Sequence, residues 1–122
     1  MAENGKVVVN LSTGLEDPER VTVGFLVGGA AAKQGKQVAM FLTKEAVRLA
    51  LPGVAEGVAC EGCPPLGQLF EQYAEGGGEF LVCPYCFDAR KLDAEELVPN
   101  ARIAGATPLL EWMGENATVF SY

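Results

Sequence analysis

The chain has 122 residues, 49% of them hydrophobic and 20% charged. That is one domain's worth of sequence, able to take roughly two thirds of its unfolded surface out of water, and it is neither a disordered nor a low-complexity composition. Sixteen acidic against nine basic side chains give a formal charge of -7, without the basic run that a nucleic-acid binder needs. The absence of histidine excludes Ser-His-Asp hydrolysis, Cys-His thiol catalysis and histidine-ligated zinc or haem. Chemistry is left to cysteine, carboxylate, lysine, arginine and hydroxyl groups.

Lys6 to Leu11 (KVVVNL) is short and β-branched, the pattern of a buried parallel strand, and it breaks at Ser12-Thr13-Gly14. Asp17 is set to cap a helix opening on Pro18, with Glu16 and Glu19 where the macrodipole is positive; the helix ends near Gly35. Its Gly24, Gly28 and Gly29 are costly in a helix unless the backbone packs close against a sheet or a second subunit. The apolar stretch Val21 to Ala32 inside this helix is a dozen residues long, short of the roughly 20 a membrane span needs, so it reads as a buried helix. The N-terminal MAENGKVVVN lacks the features of a secretory signal, which points to the cytoplasm.

Gln37 to Leu42 (QVAMFL) is a second strand, after which Thr43 is set to cap a short helix ended by Pro52-Gly53. Val54 to Cys63 reads as a loop or short edge element. Leu66, Leu69, Phe70, Tyr73 and Ala74 then fall on one helix face, stopped by Gly76-Gly77-Gly78. Glu79 to Val82 is a strand running into Cys83-Pro84-Tyr85-Cys86, with Pro84 at the first position of the next helix. Arg102 to Ala106 is a further strand, Thr107-Pro108 opens the last helix, and Ala117 to Tyr122 closes the chain as a strand. Five strands alternating with helices call for a single α/β domain, a mostly parallel sheet with helices on both faces.

In such sheets the functional loops come after the strands, and all four cysteines lie on that edge. Cys83 occupies the N-cap of its helix, where its sulfur is expected to accept from the amides of Tyr85 and Cys86. Arg90, one turn beyond Cys86, is expected close enough to stabilise an anionic sulfur. Three alternatives stay open. The C-x2-C pair at Cys60 and Cys63 precedes that at Cys83 and Cys86 by nineteen residues, a spacing compatible with a four-thiolate zinc site. A dithiol/disulfide switch, within a pair or between pairs, is another, and inert buried thiols are the third. Ser12-Thr13-Gly14 faintly suggests an FMN phosphate loop, but Glu16, Asp17 and Glu19 would repel the phosphate, so helix capping fits better. Lys44 is either a contact for an anionic substrate or a solvated surface lysine.

The segments GLEDPERVTVGFLVGGAAAKQGKQVAMFLTKEAVRLAL, PPLGQLFEQYAEGGGEFLVCPYCFDAR and ARIAGATPLLEWMGENATVFSY together resemble the DsrE/DsrF-like family of small sulfur-metabolism proteins. The resemblance implies a flavodoxin-like three-layer α/β fold, homo- or hetero-oligomers (often trimers or hexamers), and a cysteine, here Cys83, that carries sulfur as a persulfide. The expectation is therefore a cytoplasmic sulfur-carrier protein with no cofactor, in which Cys86 assists Cys83 and the partners are donor and acceptor proteins rather than nucleic acid or membrane. An open apolar edge strand at the C-terminus and the glycine-rich helix face favour an oligomer.

Overall fold

A computed structural model describes residues 5–122; the first four residues of the N-terminal segment MAENGKVVVN lie outside it. Five strands, β1 (Lys6–Leu11), β2 (Gln37–Leu42), β3 (Glu79–Val82), β4 (Ala101–Ile103) and β5 (Ala117–Ser121), form one sheet in the order β4-β3-β2-β1-β5. Every pairing is parallel. The α-helices are α1 (Pro18–Lys33), α2 (Leu66–Glu75), α3 (Pro84–Ala89) and α4 (Ala106–Met113), with 3-10 segments at Lys44–Ala50, Ala55–Gly57 and Ala94–Glu96. This is a flavodoxin-like α/β sandwich.

The pleat divides the strand residues between two layers. Val7, Val9 and Leu11 of β1, Val38, Met40 and Leu42 of β2, and Phe80 and Val82 of β3 face the larger core with Val21 and Phe25 of α1 and Leu66, Leu69 and Tyr73 of α2. Rings of Phe25, Phe70, Tyr73 and Phe80 interlock there, with centroids 5.1 Å apart for Tyr73 and Phe80. The opposite layer is thinner: Ala39, Leu81 and Ala104 are buried beneath Phe41, Leu109 and Trp112, so among the described residues α4 supplies its helical cover.

Asp17 caps α1 as its sequence demands, accepting from the Arg20 amide at 3.2 Å, with Pro18 next in the chain. Two of its glycines suit the close approach of the sheet: a Cβ on Gly28 would lie 2.7 Å from Met40 Cε, and one on Gly24 3.3 Å from Leu11 Cδ1. Among the described residues no helix is long and apolar enough to cross a membrane.

Three sequence expectations need correction. The segment after β2 is 3-10, not α, and Thr43 makes no side-chain cap bond; three residues per turn stack Ala46 on Leu49 and Val47 on Ala50, all fully buried, so two adjoining rows are covered at once. Of the two readings for Val54 to Cys63 the loop holds, with a 3-10 turn at Ala55–Gly57. Ala74 is exposed, because the neighbouring layer ends at Phe70 and Tyr73. β4 is shorter than Arg102 to Ala106, since Ala106 already belongs to α4.

Gly14, buried between β1 and α1, carries the closest approach in the loops after the strands: a Cβ would lie 2.5 Å from the Glu45 carbonyl oxygen. Backbone cannot yield as a flexible side chain can, so Gly14→Ala should destabilise the fold by about 1–3 kcal/mol. An unchanged denaturation midpoint in urea would show that the two loops separate freely.

Candidate functional site

The ladder does not stop at the strand ends. Thr43 N–H donates to the Leu11 carbonyl at 3.1 Å, Cys83 N–H to that of Leu42 at 3.0 Å, and Ala104 N–H to that of Val82 at 2.9 Å. With Leu11 level with Leu42, and Leu42 with Val82, this lines up Ser12, Thr43, Cys83 and Ala104 along the carboxyl edge. Cys83 therefore sits between Thr43 and the Ala104-Gly105 turn that opens α4. Gly105 packs against Pro84, to whose Cδ a Cβ would lie 3.4 Å away.

Cys83 is a free, half-exposed thiol at the N-cap position of α3, and Pro84 is the first helical residue. The expected capping bond is not made: the Cys83 side chain accepts from no amide of the helix. Sulfur is a weak acceptor, and Cys83 is held by its backbone, whose carbonyl accepts from Phe87 at 3.0 Å. Cys86, also free, packs against the larger core one turn later, while Tyr85 between them projects into solvent, 83% exposed.

The four cysteines do not assemble into a zinc site. Cys60 and Cys63 are bonded to each other as a disulfide, and the Cys60 sulfur lies 3.7 Å from Thr22 Oγ1 on α1. Both sulfurs are thus spent. Among the described residues no three Cys, Asp or Glu side chains are gathered to hold a metal ion. Nor is the loop after β1 a phosphate cradle, since the Gly14 amide that would serve one donates at 2.9 Å to the Glu16 carboxylate.

The DsrE/DsrF-like family pattern matches residues 5–122. The chain belongs to that family. Members of the DsrE/DsrF-like family are sulfur-relay-related proteins. An uncharacterized protein of Methanopyrus kandleri, MK0008, is 26% identical over 116 residues, covering 95% of this chain and 93% of that one. The fold is similar to the crystal structure of the ychN protein from E. coli, with a TM-score of 0.78, 20% identity and coverage of 97% and 99% of the two chains. It is also similar to MTH1491 of Methanobacterium thermoautotrophicum, with a TM-score of 0.64, 10% identity and coverage of 94% and 98%. At these identities the solved structures speak for the DsrE fold alone.

Within this DsrE-type edge, Arg90 has a different partner from the one expected. Its Nε donates to Glu45 Oε2 at 2.7 Å and its Nη1 to the Cys86 carbonyl at 3.1 Å, while Arg48 Nε donates to Glu45 Oε1 at 2.8 Å. A carboxylate outcompetes a thiol for a guanidinium, and Arg90 clamps α3 to the 3-10 segment instead of serving the Cys83 sulfur. Sequence inspection missed Glu45, which is 45 residues from Arg90; the adjacency of β2 and β3 is the signal that brings them together. Lys44 is exposed in a left-handed backbone conformation with φ 54°, where it starts the 3-10 segment.

Arg90, and after it Arg48, holds the Glu45 carboxyl below its ordinary value of 4.5. A depressed acid contributes stability above its unfolded pKa and loses it as pH falls through the folded one. Glu45→Gln should therefore lower the melting temperature at neutral pH, and the gap to the parent should close on acidification below pH 4.5. A gap independent of pH would mean that the clamp does not act through charge.

Proposed function

We propose that Cys83 is the sulfur-carrying residue of a cytoplasmic sulfur-relay protein. Its thiolate attacks the outer sulfur of a donor protein's persulfide, the new S–S bond forms on Cys83, and the donor leaves as a thiolate. An acceptor thiolate later takes the same sulfur by the same exchange. Neither step needs an added oxidant or reductant, and no cofactor is invoked.

The observation that carries this is the placement of Cys83: unbonded, half-exposed, with its sulfur uncommitted to the helix cap, at the carboxyl edge beside Thr43 and the start of α4. Cys86, packed on the core, leaves the transfer to Cys83, and Arg90 acts as a positioning residue that fixes α3. Family membership supplies the sulfur context.

Incubation of the reduced protein with a persulfide donor should add one sulfur atom, seen by intact mass and mapped to Cys83. The adduct should vanish in Cys83→Ser and persist in Cys86→Ala. Sulfur uptake undiminished by Cys83→Ser would overturn the assignment.

The working unit in this proposal is a homo-oligomer. Among the described residues β5 ends the sheet, pairing only with β1, and its Val119 and Phe120, on opposite faces, are 48% and 39% exposed. Light scattering coupled to gel filtration should give a multiple of the 12.9 kDa chain mass, and Val119→Lys with Phe120→Glu should reduce it to one chain. A monomeric parent at micromolar concentration would refute this.

A further inference from the structure

The Cys60–Cys63 disulfide takes no part in that transfer. It lies in the loop before α2, with both cysteines half-exposed and Glu61, Gly62, Pro64 and Pro65 exposed around them. The bond joins residues three apart, in a turn the backbone already closes by donation from Cys63 N–H to the Cys60 carbonyl at 3.1 Å. A cross-link stabilises mainly by the length of chain it closes, so this ring adds little and ties no second element to the fold. A solvent-accessible bond that holds so little is placed for exchange, not for stapling.

The environment of Cys60 gives the exchange a direction. Its sulfur lies 3.7 Å from Thr22 Oγ1, a buried hydroxyl in the second turn of the 16-residue helix α1 that donates to the Pro18 carbonyl at 2.8 Å. When a disulfide opens, the departing sulfur takes up negative charge. A hydroxyl that can turn its proton from a carbonyl to that sulfur speeds its departure.

We propose that Cys60–Cys63 is a thiol–disulfide exchange site, separate from Cys83, whose substrate is a dithiol reductant. The incoming thiolate attacks the Cys63 sulfur and the S–S bond breaks, so that the Cys60 sulfur leaves as a thiolate beside Thr22. The reductant's second thiol then attacks the mixed disulfide and frees Cys63. Two electrons and two protons pass to the chain, and the reductant departs as its own disulfide. This rests on neither the persulfide chemistry of Cys83 nor its partners.

The test uses the parent chain, folded, with dithiothreitol to open the bond and 2-mercaptoethanol, a neutral monothiol, to mark the attacked sulfur. Quenching with N-ethylmaleimide and cleavage after glutamate separates Cys60, Cys63 and the Cys83/Cys86 pair onto different peptides, because Glu61, Glu71, Glu75 and Glu79 lie between them. Mercaptoethanol should fall on Cys63 and maleimide on Cys60 by roughly threefold over the reverse. Thr22→Val should erase that preference while the bond still opens. A disulfide that dithiothreitol opens only after denaturation would overturn the exchange site, and adducts on Cys60, or evenly on both, would overturn the direction. Sulfur transfer at Cys83 is read on a separate peptide and stands or falls by itself.

Discussion

The site depends on a run of backbone hydrogen bonds that outlasts the strands. Leu11, Leu42 and Val82 are fully buried and level with one another, and the amides of Thr43, Cys83 and Ala104 extend the ladder one residue beyond them. The position of Cys83 is thus set by the core residue before it. A slip of one residue in β3 would turn Phe80 and Val82 away from the larger core and carry Cys83 off its place in the row. Such a slip would sacrifice the packing of Phe80 against Phe25, Phe70 and Tyr73, which makes the register costly to lose.

Most of this frame was legible in the residues themselves. Short apolar runs mark the strands, Asp17-Pro18 marks the start of α1, and Cys83-Pro84 marks the turn from β3 into α3, because these signals are local and each has one physical meaning. The failures were non-local. Spacing alone sets Arg90 beside the cysteine one turn away, yet its charge is satisfied by Glu45 across the gap between α3 and the 3-10 segment, a proximity that comes from strand order and not from spacing. The 3-10 winding of Lys44–Ala50 has a similar cause: burial of Ala46, Val47, Leu49 and Ala50 together is a demand of the neighbouring layers, which overrides the ordinary helix propensity of the segment.

Charge on the carboxyl edge is arranged to hold the loops and not to bind an anion. Glu16 occupies the Gly14 amide, Asp17 the Arg20 amide, and Glu45 two guanidinium groups. The depression between α1 and the end of β5, about 440 Å³, is lined by Asp17, Glu19 and Arg20 with Val23, Ser121 and Tyr122. It lies where the strand order reverses, the usual ligand crevice of open α/β sheets, but its carboxylates disfavour a phosphate there. The free thiol of Cys83 lies two strands away on the same edge.

The two Cys-x-x-Cys pairs show why a motif needs its backbone. In the second pair Cys83 directly follows β3 and Cys86 lies in the first turn of α3, packed against the core, and both thiols stay free. In the first pair a tight turn, with Gly62 at φ 80°, brings the Cα atoms of Cys60 and Cys63 to 5.3 Å and the sulfurs bond, within the Cα separation that a disulfide accepts. The same spacing thus leaves two free thiols in one setting and a disulfide in the other. The difference lies in the residues directly after each first cysteine: Pro84 commits the chain to a helix after Cys83, whereas Glu61-Gly62 lets it turn back on itself after Cys60.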